Sequence, residues 1–141
     1  MAVFVYGTLR DRGVLNAVLG HDGAAGLPAW IDDHVALLAR GHNFPMLRPD
    51  TDGRADGRAE GVLLTNLSAA DIAALDACEG ESYQRRTMTV MTASGQVEAD
   101  IYIDDGSYED GGVFDLAEWE LNHRDSFIDH FMEARGFDKP T

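Results

Sequence analysis

The stretch 83–103 constrains the fold more than any other part of the chain. Residues 83–92 (YQRRTMTVMT) and 97–103 (VEADIYI) alternate in polarity, carry many β-branched and aromatic types, and flank Ala93-Ser94-Gly95-Gln96. Alternation with period two on both sides of a short turn segment is the pattern of a β-hairpin. An antiparallel or mixed sheet is therefore required, and the rest of the chain has to complete it.

Residues 2–6 (AVFVY) read as a short buried strand stopped by Gly7, and 14–19 (VLNAVL), closed by Gly20, as a helix. The stretch 27–40 mixes both periods and is assigned to strand. A turn cluster follows at Gly41-His42-Asn43-Phe44-Pro45, then a Gly/Asp-rich loop over 49–58, then a central strand at 60–65 (EGVLLT). Ser68, with Asp71 three residues on, marks a helix start; a full capping box would place Glu or Gln there. That helix runs to Glu79, with Gly80 as its αL stop. After a Gly/Asp loop at 104–112, Asp115 caps a long helix through about Arg135, closed by Gly136. The expectation is one α+β domain spanning 1–141, with the sheet curled around a few helices.

Composition narrows the function. Eleven Lys+Arg against 25 Asp+Glu give a net charge of -14, which repels phosphate backbones and anionic lipid. Nucleic-acid and membrane roles are set aside on that ground. No apolar run approaches the roughly 20 residues of a membrane span. The start of the chain lacks the basic segment of a signal peptide. Cys78, the single cysteine, cannot form an internal disulfide, so the cytoplasm is the expected location. Nothing in the sequence sets an oligomeric state.

Two places carry chemistry. On the helix 69–79, Ile72 and Leu75 define the apolar face, and Glu79 falls within about 20° of Ile72. A carboxylate there points toward the core at a helix C-terminus, beside Asp76 and Glu81. Burial and negative charge both disfavour its ionised form, which makes it a better proton acceptor. A frayed helix end with Glu79 turned to solvent is the competing reading, and the wheel alone favours it. The second place is Tyr6-Gly7-Thr8-Leu9-Arg10, a strand running into a glycine turn. Successive backbone N–H groups there form an anion-binding concavity, with the Thr8 hydroxyl as a further donor. A plain strand-to-helix turn is the commoner reading on spacing alone.

At these two places the chain resembles the γ-glutamylcyclotransferase-like family, in the form of a small bacterial member. The strand plus Tyr6-Gly7-Thr8-Leu9 is similar to its N-terminal signature. Leu75-Asp76-Ala77-Cys78-Glu79-Gly80, followed by Tyr83-Gln84-Arg85, is similar to its second hallmark. Phe44-Pro45 and Glu60-Gly61-Val62 fall between them in the family's order. The likeness covers roughly residues 3–103. It implies a small β-barrel of mixed strands with flanking helices, one cavity, and no metal or organic cofactor. It places Glu79 at the catalytic acid/base position and Tyr6, Gly7, Thr8, Leu9 and Tyr83 around a small-molecule γ-glutamyl substrate. The implied reaction is intramolecular attack of the α-amine on the γ-amide, releasing 5-oxoproline and an amine or amino acid. A non-catalytic binding or interaction module, or a hydrolase of another small amide, are the alternatives on the same fold. Where relatives carry a Tyr and Trp pair after the last strand, this chain has 104–112 with Tyr108, so the leaving-group pocket is not carried over.

Four other features are assigned bland roles. Cys78 lies about 100° around the helix from Glu79 and reads as a core or boundary residue. His123 and His130 make two potential ligands without a third. Trp119, Phe127, Ile128 and Phe131 read as packing positions of the last helix. The segment Gly53–Gly57 lacks the lysine and flanking elements of a phosphate loop. Arg10, Arg12, Arg85 and Arg86 flank the two motifs and would offset the negative field locally.

Overall fold

In the computed structural model, residues 2–42, 44–51, 53, 57–80, 82–129 and 136 are described. Five strands close a barrel in the order β1 (Val3–Val5), β5 (Arg58–Leu64), β2 (Gly26–Asp32), β6 (Tyr83–Thr92), β7 (Gly95–Asp104). Four of the pairings are antiparallel, and β1 closes on β7 in parallel through Val3 and Asp100. A separate three-stranded sheet runs β4 (Pro45–Pro49), β3 (His34–Ala39), β8 (Asp110–Val113). The small barrel of mixed strands with flanking helices that the resemblance implies is present, and a second sheet, not expected from the sequence, stands beside it.

The hairpin forms as its alternation requires, from Thr92 opposite Gly95 to Tyr83 opposite Asp104. The turn is shorter than the four residues flanked in the sequence reading, because Gly95 and Gln96 join β7. β2 reaches β6 only at Ala29–Thr92 and Trp30–Met91. The Tyr83 end therefore runs on past that contact toward the helix that precedes it. Val3, Phe4, Leu64, Leu75, Val90, Ile101 and Trp119 are essentially inaccessible and belong to the main core.

Helix α1 (Arg12–Leu19) is capped by Asp11, whose carboxylate accepts from the Val14 N–H, and stops at Gly20 in the left-handed conformation. Helix α2 (Ala69–Glu79) has the bounds read from the sequence. Its box closes with Asp71 in place of Glu: Ser68 N–H donates to Asp71 at 3.0 Å, and Asp71 N–H donates to Ser68 Oγ at 3.1 Å. His21 contacts the same carboxylate at 2.7 Å and, with the cap bonds, holds its pKa below the usual range. The end of α1 is thereby tied to the start of α2.

Four expectations are corrected. Gly80 has φ 74 and ψ -166, so it is not αL; the chain swings straight out into β6, in a backbone region open only to glycine. The turn cluster ends one residue early, because Pro45 opens β4, an edge strand where proline N–H groups are not needed by a ladder. The Gly/Asp loop contains β8, a poor strand former recruited by pairing with β3. The long C-terminal helix is broken: α3 (Leu116–Asn122) ends at His123 (φ -126, ψ -17) and α4 (Arg124–Phe127) starts directly after it. The break lets Arg124 donate to Asp11 at 2.8 Å while Trp119 and Phe127 stay buried, 5.5 Å apart edge to face. His130, Phe131 and Arg135 lie outside the described residues, as do Glu81 and 54–56 of the polar loop.

Candidate active site

The N-terminal wall begins where β1, buried at every position, delivers Tyr6 and Gly7 to a 3-10 turn over Thr8–Arg10. Arg10 N–H bonds to the Gly7 carbonyl and Asp11 N–H to that of Thr8, each at 3.0 Å. The N–H groups of Thr8 and Leu9 precede these bonds and, as at the start of any helical turn, have no intrahelical acceptor. Glycine is required at position 7 by close approach, since a Cβ there would sit 2.1 Å from Pro45 Cγ.

The opposite wall is the end of α2. Asp71, Ile72, Leu75 and Cys78 face the core, and Glu79 is half-buried at the last helical position. Turn and helix end meet across one cavity. It is lined by Tyr6, Gly7, Thr8 and Leu9 on one side and Cys78 and Glu79 on another. Phe4, Val5, Phe44, Pro45, Tyr83, Tyr102 and Phe127 complete it. Among the described residues that line it, Glu79 is the only charged side chain. A carboxylate set among aromatic rings opposite backbone donors can exchange a proton with a ligand that the donors hold in place.

Three tyrosines frame that carboxylate. Tyr6 donates to the Tyr102 carbonyl at 2.7 Å, Tyr83 to the Pro45 carbonyl at 2.7 Å, and Tyr102 to Asp76 Oδ1 at 2.6 Å. All three pKa values lie above the ordinary phenol range. Burial is the largest cause in each, and the negative charge of Glu79 adds to all three. These hydroxyls therefore remain neutral donors throughout the physiological range.

The residues singled out in the sequence, Glu79 with Tyr6, Gly7, Thr8, Leu9 and Tyr83, all line this one cavity. Cys78 is also there, buried, rather than only in the core. The flanking arginines are not among its lining residues. Arg12 donates to the Asp22 and Ala24 carbonyls, Arg85 pairs with Asp76 and Asp100, and Arg86 donates to Gln84. The guanidinium that acts on the site is Arg48 of β4. It forms a two-pronged pair with the inaccessible Asp104 carboxylate, at 2.5 and 2.8 Å, and its charge is felt by Tyr6 and Tyr83. Nothing local in the sequence marks Arg48, Asp104 or Tyr102, which come together only through pairing of distant strands. Among the described residues, no group of three or more His, Cys, Asp or Glu could hold a metal ion. No helix among them is long and apolar enough to cross a membrane.

Fold and site together define a small α+β barrel protein with one aromatic, acid-bearing pocket. The family described as gamma-glutamyl cyclotransferase, AIG2-like, matches residues 3–121, and the chain belongs to it. Protein AIG2 B of Arabidopsis thaliana is 28% identical over 131 residues, covering 90% of this chain and 75% of its own length. A solution structure of another Arabidopsis thaliana protein superposes with a TM-score of 0.66 at 25% identity, covering 99% of this chain and 94% of its own. A solved gamma-glutamyl cyclotransferase gives 0.62 at 17% identity, covering 77% and 68%, a likeness of fold.

Proposed function

We propose that the protein releases 5-oxoproline from a γ-glutamyl amine or γ-glutamyl amino acid, with Glu79 as the general acid/base. The observation that carries this reading is the shared cavity, lined by Glu79 and by the turn 6–9. The α-carboxylate of the γ-glutamyl group would sit on the N–H groups of the turn and the Thr8 hydroxyl. An α-amine with pKa near 8 is largely protonated at neutral pH, so Glu79 first takes a proton from it. The freed amine attacks the γ-carbonyl carbon, forming the ring C–N bond, and charge on the carbonyl oxygen is met by fixed donors. The tetrahedral centre then collapses and breaks the original C–N bond. Glu79 returns its proton to the departing nitrogen, which leaves as a neutral amine. It then takes the second proton from the ring nitrogen, which leaves the lactam neutral, and that proton passes to solvent or to the released amine. Attacking and attacked atoms belong to one molecule, so holding the substrate folded supplies much of the rate gain. The cytoplasm, where γ-glutamyl metabolites would be met, is the proposed location.

The test measures 5-oxoproline release from a γ-glutamyl panel by the wild type and by Glu79→Gln. The variant is expected to lose about a hundredfold or more in kcat, the range for a proton-transfer group, with its fold intact by circular dichroism. Equal rates would remove Glu79 from the mechanism. Amide cleavage without 5-oxoproline would point instead to hydrolysis.

A further inference from the structure

The cavity is nearly full. The space left inside it is ≈ 30 Å³, room for about two water molecules and far too little for a γ-glutamyl group. A wall has to yield before such a ligand can reach Glu79. Most of the lining is fixed. Phe4, Val5 and Tyr6 belong to the main core, Tyr102 is tied to Asp76, and Phe127 packs on Trp119 at 5.5 Å. Among the described lining residues only Phe44, Glu79 and Tyr83 are partly exposed, so these three mark the mouth.

We propose that Phe44 is a gate: its ring shuts the cavity against Tyr83 and turns outward, onto His42 and Tyr108, to admit the substrate. The inference deepens the reading above and rests on it only for the identity of what enters. Of the three residues at the mouth, Glu79 ends α2 and Tyr83 opens β6 within the barrel. Phe44 lies outside any strand, in a bend one residue before β4. Its ring stands edge-on to that of Tyr83, with centroids 6.3 Å apart. It also meets His42 at 4.9 Å and Tyr108 at 5.1 Å, neither of which lines the cavity. A ring turned outward keeps these two partners while parting from Tyr83, so opening costs little. The Tyr83 hydroxyl on the Pro45 carbonyl is the latch that draws the chain after Phe44 back to the barrel. Such a gate lets the site close over its substrate and exclude water.

Cys78 reports on opening, because it is the single cysteine, is 2% exposed and lines the cavity. Its alkylation by iodoacetamide, followed by intact mass, requires either the gate or the whole fold to open. Phe44→Ala is expected to speed alkylation about tenfold, equivalent to about 1.4 kcal/mol of aromatic contact. Tyr83→Phe, which releases the latch, should speed it about fivefold. Val18→Ala, on the buried face of α1 and away from the mouth, separates the two routes. It lowers stability in urea, yet its alkylation without denaturant should stay within about twofold of wild type. Alkylation that rises with lost stability in Val18→Ala, or that is unmoved by Phe44→Ala, overturns the gate. The substrate arm uses γ-glutamyl-methylamide on the Glu79→Gln protein. By filling the cavity this ligand should slow Cys78 alkylation, and its association should be faster once Phe44 is Ala. Gating as expected with no protection by this ligand sinks the substrate reading and leaves the gate. Release of 5-oxoproline by a wild type whose Cys78 reacts like a free thiol sinks the gate and leaves the reaction.

Discussion

The barrel and the three-stranded sheet hold the same cavity by different means. In the barrel every strand has two neighbours, and its side chains form the main core with α1, α2 and the C-terminal helices. The sheet is open on both edges and has a small cluster of its own, Val35, Leu37, Ala39 and Met46, while Ala36 and Leu47 on its other face reach the main core. It supplies Phe44, just before β4, and Pro45 to the cavity. Around the cavity its contacts with the barrel include Gly7 against Pro45, the Phe44 ring edge-on to Tyr83, the Tyr83 hydroxyl on the Pro45 carbonyl, and Arg48 on Asp104. The barrel can thus fix Tyr6, Tyr102 and the approach to Glu79 by its own packing. The sheet wall depends on a few discrete contacts, and each can be cut separately.

The largest effect is expected where charge is involved. Arg48→Met leaves the Asp104 carboxylate buried without its partner and should cost about 3 kcal/mol, the lower part of the range for breaking such a pair. Urea denaturation measures it. A loss under about 1 kcal/mol would mean that the pair is no anchor. A smaller but more local effect is expected from Gly7→Ala. The added methyl would meet a proline ring rather than a flexible side chain, so the sheet must shift, at about 2 kcal/mol. Hydrogen exchange should then rise over 45–49 and stay unchanged in β5 and β7. Equal loosening of barrel and sheet would erase the distinction drawn between them.

The same division separates what the sequence discloses from what it hides. The barrel elements carry their signals locally: alternation in 83–103, Ser68 and Asp71 at the start of α2, and Gly20 at the end of α1. The sheet elements do not. β4 begins and ends with proline, β8 is Asp-Gly-Gly-Val, and both become strands only because β3 lies between them. The break at His123 is likewise invisible to helical periodicity, and it coincides with a tertiary contact, Arg124 to Asp11, that no local pattern announces. In the site, the positions from Tyr6 to Leu9 and Glu79 are legible because each sits in a contiguous motif. Tyr102, Arg48 and Asp104 are illegible because they meet through strands far apart in the chain. Arg85, by contrast, stands out in the sequence by its charge beside the second motif, and carboxylates occupy it once the hairpin folds.

The smallest expected effects come from two hydroxyls that make the same bond to different partners. Tyr6 donates within the barrel, to Tyr102, and Tyr83 donates out to the sheet, at Pro45. Removing either as Phe should cost about 1 kcal/mol, but Tyr6→Phe should lower the global stability while Tyr83→Phe should chiefly speed exchange over 45–49. Alkaline pH probes both together. Each folded pKa is raised above the unfolded value near 10, so the stability these phenols give is fully present below about pH 10 and is lost as the pH climbs toward their folded values. The unfolded chain releases its phenolic protons first, which pulls the equilibrium toward unfolding. Urea midpoints should therefore be flat through neutral pH and fall above about pH 10, with a shallower fall in either Phe variant. A wild-type curve that stays level there would mean that Tyr6 and Tyr83 ionise as readily folded as unfolded, and that the barrel side of the cavity is as open to water as the sheet side.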